Sequence, residues 1–281
     1  MAAKSAKAPT GKAKATVWTL KTALAALQKA GSKKHADGMQ RFGIGTVKTF
    51  GVRMGAIQKL GKTIGKDHAL AEQLWSSGVY DARMLASYVA EAEKVTSAQM
   101  DAWCESFDNW AVCDTVCFAL WDRVPLAWAK IDTWASRDEE FVKRAAFALL
   151  ASVALHDKSD IDDRCAKAIG LCEDAASDGR NFVKKGVSWA LRTIGMRSGA
   201  LHAKALASGK RLAKSSHATE RWVGNDVVRD LKRPFVAKRL AAREAKAKAK
   251  AKAKANTKAK AKAKAKASAN ANANANANAN G

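Results

Sequence analysis

The chain has 281 residues, enough to bury a sizeable core, and a formal net charge of +24. Residues 1–15 carry four lysines, residues 241–281 carry eleven Lys or Arg against Glu244, and the body between still holds +10. Such a balance favours a polyanionic partner, most simply nucleic acid, because lysines and arginines that neutralise phosphates release counterions; a ribosome-associated protein or an anionic membrane surface would suit the same charge. Five cysteines without a CxxC pair and five scattered histidines exclude a disulfide framework and a zinc site of recognisable spacing. Buried cysteines in a reducing compartment are expected, with no metal and no cofactor. No stretch approaches the roughly 18 apolar residues of a membrane span, and Lys21 and Lys29 argue against reading VWTLKTALAALQKAG as a signal peptide. A cytoplasmic, nucleoid-associated protein without a membrane partner is the expectation.

From Thr16 to about Arg239, apolar residues recur three and four apart, with almost no alternation of the strand type. Leu20, Ala23, Leu24 and Leu27 form the first helical face, and Gly31 reads as its stop. GIGTVKTFG, from Gly43 to Gly51, reads as a hinge before a helix through Val52, Ile57 and Leu60. Further helices end near Trp75, run from about Arg83 to Val89, and pass through Met100 and Cys104. Asp108 and Asn109 suit the start of the next helix as caps, as Asp138 and Asp178 suit those at Phe141 and Phe182. Pro125 fits the first turn of a helix through Leu126, Trp128, Ile131 and Trp134.

The pattern predicts about a dozen helices in five or six repeats of ~40 residues. Beyond Ala241 the sequence turns to alternating Lys and Ala and then Asn and Ala. Like charges four apart repel on a helix, so this segment is expected to be disordered and to lie along phosphates without fixed register. The predicted organisation is a disordered basic tail at 1–15, a repeat domain at 16–240 and a low-complexity tail at 241–281.

FVKRAAFALL, from Phe141, and FVKKGVSWAL, from Phe182, lie 41 residues apart, a spacing that stacked helix pairs leave in sequence. FDNWAVCDTV, from Phe107, takes the same register 34 residues earlier. Superposing the phenylalanines puts Trp110, Arg144 and Lys185 at one position, and Asp114, Ala148 and Trp189 one helical turn further on. Stacked helices bury aliphatic residues and keep ionised ones in water unless paired, so a row of Trp, Asp, Arg, Lys and Trp reads as the lining of a groove. Trp103, Trp121, Trp128, Trp134 and Trp222 read instead as core or packing between repeats.

Together with the helix-pair array, three segments resemble the AlkD-type DNA alkylation repair glycosylases: GVRMGAIQKLGK from Gly51 to Lys62, the W-x-x-x-D pair in NWAVCD, and FVKKGVSWALR. The resemblance covers most of the body, from about His35 to Arg197. It implies an all-α solenoid of HEAT-like repeats, a right-handed superhelix whose concave face holds duplex DNA. It also implies removal of N3- or N7-alkylated purines by cleavage of the base–sugar bond. Residue by residue, it places the essential aspartate at Asp114, the groove tryptophans at Trp110 and Trp189, and the groove arginines at Arg144 and Arg192. Phe42 stands where some members carry a groove tyrosine, keeping the ring without its hydroxyl. Asp81 and Arg83 stand where a glutamate and a large residue are expected.

Cleaving an ordinary glycosidic bond generally takes two carboxylates, one to protonate the leaving group. An N3- or N7-alkylated purine is already cationic and leaves as a neutral base, so one ionised carboxylate suffices to stabilise the sugar cation and orient water. Asp114 is the expected carboxylate, with Trp110 and Trp189 beside it as indole faces that favour cations. Arg144, Lys185 and Arg192 are expected on phosphates. The sequence thus predicts a monomeric glycosylase acting on duplex DNA that contains alkylated bases. A non-catalytic binder of damaged or branched DNA using the same groove is the alternative, and a helical scaffold for acidic proteins the third reading.

Overall fold

The computed structural model describes residues 17–44 and 48–246, with positions 248, 249, 252, 253, 256 and 257. The predicted tail at 1–15 and the Asn/Ala end lie outside the described residues. Within them the chain is helical throughout: α1 (Leu20–Ala30), α2 (Lys33–Met39), α3 (Met54–Ile64), α4 (His68–Ser76), α5 (Tyr80–Val89), α6 (Ser97–Glu105), α7 (Trp110–Ala119), α8 (Ala127–Trp134), α9 (Glu140–His156), α10 (Asp162–Asp174), α11 (Asn181–Gly195), α12 (Gly199–Leu212) and α13 (Ala218–Leu231). Residues 234–246 form α14. Tighter single turns stand at Gln40–Phe42, Ala92–Lys94 and Trp121–Arg123. The helices group into two compact units, divided between Leu126 and Ala127.

In the amino-terminal unit, α5 is the central element and packs on α3, α4 and α7. Its alanines at 82 and 86 are fully buried, and only Arg83 and Tyr88 escape burial along its length. An aromatic cluster fastens the neighbouring helices. The rings of Trp75 and Trp103 stack at 4.0 Å with planes 1° apart. Phe107 stands edge-on to Trp75 at 6.0 Å and 5.6 Å from Trp121. Trp103 and Trp121 are therefore core residues, as predicted.

The carboxy-terminal unit has two layers. α11 packs on both α9 and α13, while α8, α10 and α12 cover them. α9 is apolar on nearly every side from Val142 to Ala154, the pattern of a helix enclosed by others. The 41-residue register holds in space: the rings of Phe141 and Phe182 meet at 5.4 Å. Trp134 is buried, and Trp128 lies under the Arg164 guanidinium at 4.7 Å, joining α8 to α10.

Helix ends differ in places from the sequence reading. Asn109 caps α7 as expected, its Oδ1 accepting from Val112 N at 3.0 Å. α9 and α11 instead begin after Glu139 and Arg180, neither of which makes a side-chain cap. Asp178 takes the N–H and guanidinium of Arg180 and lies 3.5 Å from Lys143, because charge-assisted bonds outcompete a neutral helix amide. Pro125 precedes α8, which opens at Ala127. α14 continues past the change of composition at Ala241, as alanine's helix propensity allows. Arg243 secures it by donating to the carbonyls of Met196 and Arg197 at 2.9 and 3.0 Å.

All five cysteines are buried and reduced, and burial pushes the Cys165 thiol up to about 11. Among the described residues there is no cluster of metal-ligating side chains, and no helix is long and apolar enough to cross a membrane.

Glycines make one helix crossing possible. A Cβ on Gly224 of α13 would stand 2.2 Å from Ala213 N and 2.5 Å from Gly209 O at the α12 contact, whereas one on Gly170 of α10 would meet nothing within 4 Å. Gly224→Ala should therefore destabilise by about 2 kcal/mol or more through overpacking, and Gly170→Ala should stabilise by roughly 0.5 kcal/mol. Thermal unfolding of the two variants should shift in opposite directions.

Candidate nucleic-acid interface

The Asn109 cap starts α7 so that Trp110 is its first residue and Asp114 follows one turn later. Ala111, Val112, Cys113, Val116 and Cys117 face the core, leaving Trp110 and Asp114 on the helix edge, both half-buried. With Phe42 they line a cleft of about 260 Å³ whose wall includes Met39, Met54 and Met84. The Trp110 indole Nε1 donates to the Phe42 carbonyl at 2.7 Å, which ties the Gln40–Phe42 turn to α7. Phe42 itself is 65% exposed. A carboxylate against such a wall acts through a lower dielectric than bulk water, so a cation entering the cleft is drawn to it more strongly. Tyr80 also borders the cleft. Burial, then the Asp81 and Asp108 carboxylates, push its hydroxyl up to about 12, so it stays neutral below pH 10.

Arg144, Lys185, Trp189 and Arg192 meet in the carboxy-terminal unit, where they line a cleft of about 370 Å³ with Trp222 and Asp226. Arg144 is only 6% exposed; its Nη1 donates to Phe182 O at 2.6 Å, and its guanidinium lies 5.9 Å from the Phe182 ring. Its guanidinium thus ties α9 to α11 at the edge of the cleft that the residue lines. Ala148, level with Asp114 in the register, is fully buried in that packing. Arg192 donates to Ser188 O at 3.3 Å and lies 3.6 Å from both Asp226 and Asp230 of α13. Ser188 Oγ is 2.6 Å from Asp226 Oδ2 and donates to it. Lys185 is exposed.

The seven residues singled out from sequence thus fall into two clusters, one in each unit: Phe42, Trp110 and Asp114, and Arg144, Lys185, Trp189 and Arg192. A family model described as "DNA alkylation repair enzyme" matches residues 23–248. The chain belongs to the DNA alkylation repair enzyme family. A solved structure from "a new family of proteins related to the HEAT-like repeat DNA glycosylases with affinity for branched DNA structures" has a similar fold. It matches with a TM-score of 0.64 and 20% identity, over 75% of this chain and 95% of that one. No curated protein sequence matches the chain.

Four further residues of this alkylation repair family member bear on the two clefts. Trp222, expected in the core or in packing between repeats, is 38% exposed and meets Lys184 of α11. The core side of α13 is taken by Val223, Gly224, Val227 and Leu231, one residue round the helix. Asp226 falls 41 residues after Lys185, one repeat further along the register, and Asp230 likewise follows Trp189. That signal was legible. Asp81 stands where the resemblance expects a glutamate, and although a carboxylate on an amphipathic helix ordinarily reads as solvated, its exposure is 0%. Its Oδ2 accepts from Thr49 Oγ1 at 2.9 Å and Phe50 N at 2.6 Å, and its Oδ1 from Val52 N at 2.8 Å.

Replacing this repair protein's Asp81 by Ala leaves two amides and a hydroxyl without their acceptor in a buried site, a cost of about 3 kcal/mol. Urea unfolding should show the loss, and hydrogen exchange at the Phe50 and Val52 amides should rise ahead of that elsewhere in the unit.

Proposed function

We propose that the protein is a DNA glycosylase that hydrolyses the N-glycosidic bond of cationic N3- and N7-alkylated purines in duplex DNA, acting as a monomer in the nucleoid. The observation that carries this reading is the half-buried Asp114 carboxylate sharing one cleft with the Trp110 indole, one turn away. As the bond between sugar C1′ and the purine nitrogen breaks, its electron pair goes to the purine and neutralises it, so no proton donor is needed. Positive charge moves to the sugar, where Asp114 stabilises it and orients the water that attacks C1′. The product is an abasic sugar, and the water's proton passes to solvent. The Trp110 face adds a preference for cations of about 0.5 to 2 kcal/mol. That is too little to choose a lesion by itself, so the lability of the alkylated bond supplies much of the selectivity.

In the carboxy-terminal unit, Arg144, Lys185 and Arg192 provide the charge that holds phosphates, and Trp189 offers a second indole face. The carboxylates on α13 keep Arg192 oriented while leaving the cleft cationic. A non-catalytic binder of damaged or branched DNA is the second reading. The affinity of the structurally similar family for branched DNA favours it, as does a cationic, aromatic cleft that does not contain Asp114.

The two readings separate in one assay. Duplex DNA containing 7-methylguanine should lose that base to the wild-type protein, and Asp114→Asn should release it at least about 100-fold more slowly while binding the duplex as well. Binding without release by either protein would favour the second reading.

A further inference from the structure

Trp222 faces a cleft whose other walls are cationic and aromatic. Its ring contributes to the cavity lined by Arg144, Lys185, Trp189 and Arg192, and the Lys184 ammonium stands 5.0 Å from its centroid. An indole exposed at the protein surface forgoes the burial that favours its large apolar face. A partner consisting only of duplex phosphates would gain nothing from it. We propose that this cleft binds an unpaired nucleotide of DNA, with its base stacked on Trp222 and its phosphate held by Lys185.

The chemistry of the cleft selects that ligand in three ways. Inside a duplex the faces of each base are covered by the base pairs above and below it, so a base must be free of the stack to lie on a protein ring, and every base has such a face. The cleft's volume of about 370 Å³ lies within the range of small-ligand sites. Its one lining carboxylate, Asp226, is bonded by Ser188 and paired with Arg192 and Arg229, so a phosphate meets net positive charge.

Trp222 and Asp226 repeat the four-residue spacing of Trp110 and Asp114. Because cations already surround Asp226, the second pair makes a binding surface and not a second centre for bond cleavage. An undamaged nucleotide held there stays intact. The proposal does not rest on glycosylase activity, since neither Asp114 nor an alkylated base takes part.

Two labelled probes without alkylated bases test it on the full chain: a thymidine oligonucleotide and a fully paired duplex. Trp222→Ala and Trp222→Leu should each weaken binding of the oligonucleotide about tenfold, the loss expected for one stacked base, and should change duplex affinity less than twofold. Trp222→Phe should restore most of the oligonucleotide affinity. Retained duplex binding shows in the same experiment that each variant is folded. Unchanged oligonucleotide affinity in the Ala and Leu variants, or equal losses on both probes, overturns the proposal. Failure here leaves release of 7-methylguanine by Asp114 untouched.

Discussion

The buried carboxylate of Asp81 is the interaction on which the amino-terminal cleft depends. Fully enclosed, it answers its charge with two backbone amides and a hydroxyl, all from Thr49 to Val52. That fixes a segment with no secondary structure of its own against α5. The segment then positions α2: the Phe50 carbonyl accepts from Ser32 N at 2.9 Å, and Gly51, at φ +71°, lies so near Ser32 O that a Cβ would stand 2.3 Å from it. α2 leads into the Gln40–Phe42 turn, whose carbonyl holds the Trp110 indole. One enclosed charge therefore determines where the cleft wall opposite Asp114 stands.

The carboxy-terminal unit reaches a comparable result by stacking. Repetition aligns α9, α11 and α13, and cations at corresponding positions of neighbouring helices converge on one cleft. Arg144 and Arg192 are held by carbonyls and carboxylates. Side chains already ordered give up less freedom when a phosphate arrives, so these charges contribute more to binding than freely moving ones. Lys185, exposed, contributes charge without that pre-ordering.

Much of this was legible in the sequence, for physical reasons that can be named. Helical periodicity gave the elements, because burial of a helix stripe imposes its period on apolar residues. The Phe141 and Phe182 register held because corresponding residues of stacked repeats meet. The composition of the row through Trp110, Asp114, Arg144, Lys185 and Trp189 pointed to the lining of one groove, since packing surfaces do not use such residues; within the structure they line two clefts, one in each unit. Caps were less legible: Asp178 had a choice between a helix amide and two cations, and local sequence does not rank them. The enclosure of Asp81 and the partial exposure of Trp222 do not follow from rules of average burial. A carboxylate can be enclosed when amides surround it, and an indole can be left outside when its helix offers the core smaller neighbours.

An ionised carboxylate beside a sugar that becomes cationic is the centre of the proposed chemistry, and its strength shows in binding as well as in rate. The most direct measurement compares affinities for two duplexes that differ at one abasic position, one bearing a cationic pyrrolidine in place of the sugar and the other a neutral tetrahydrofuran. The wild-type protein should prefer the cation by tenfold or more, and Asp114→Asn should lose that preference while keeping its affinity for the neutral site. Equal affinity of the wild-type protein for both duplexes would contradict the assignment of Asp114.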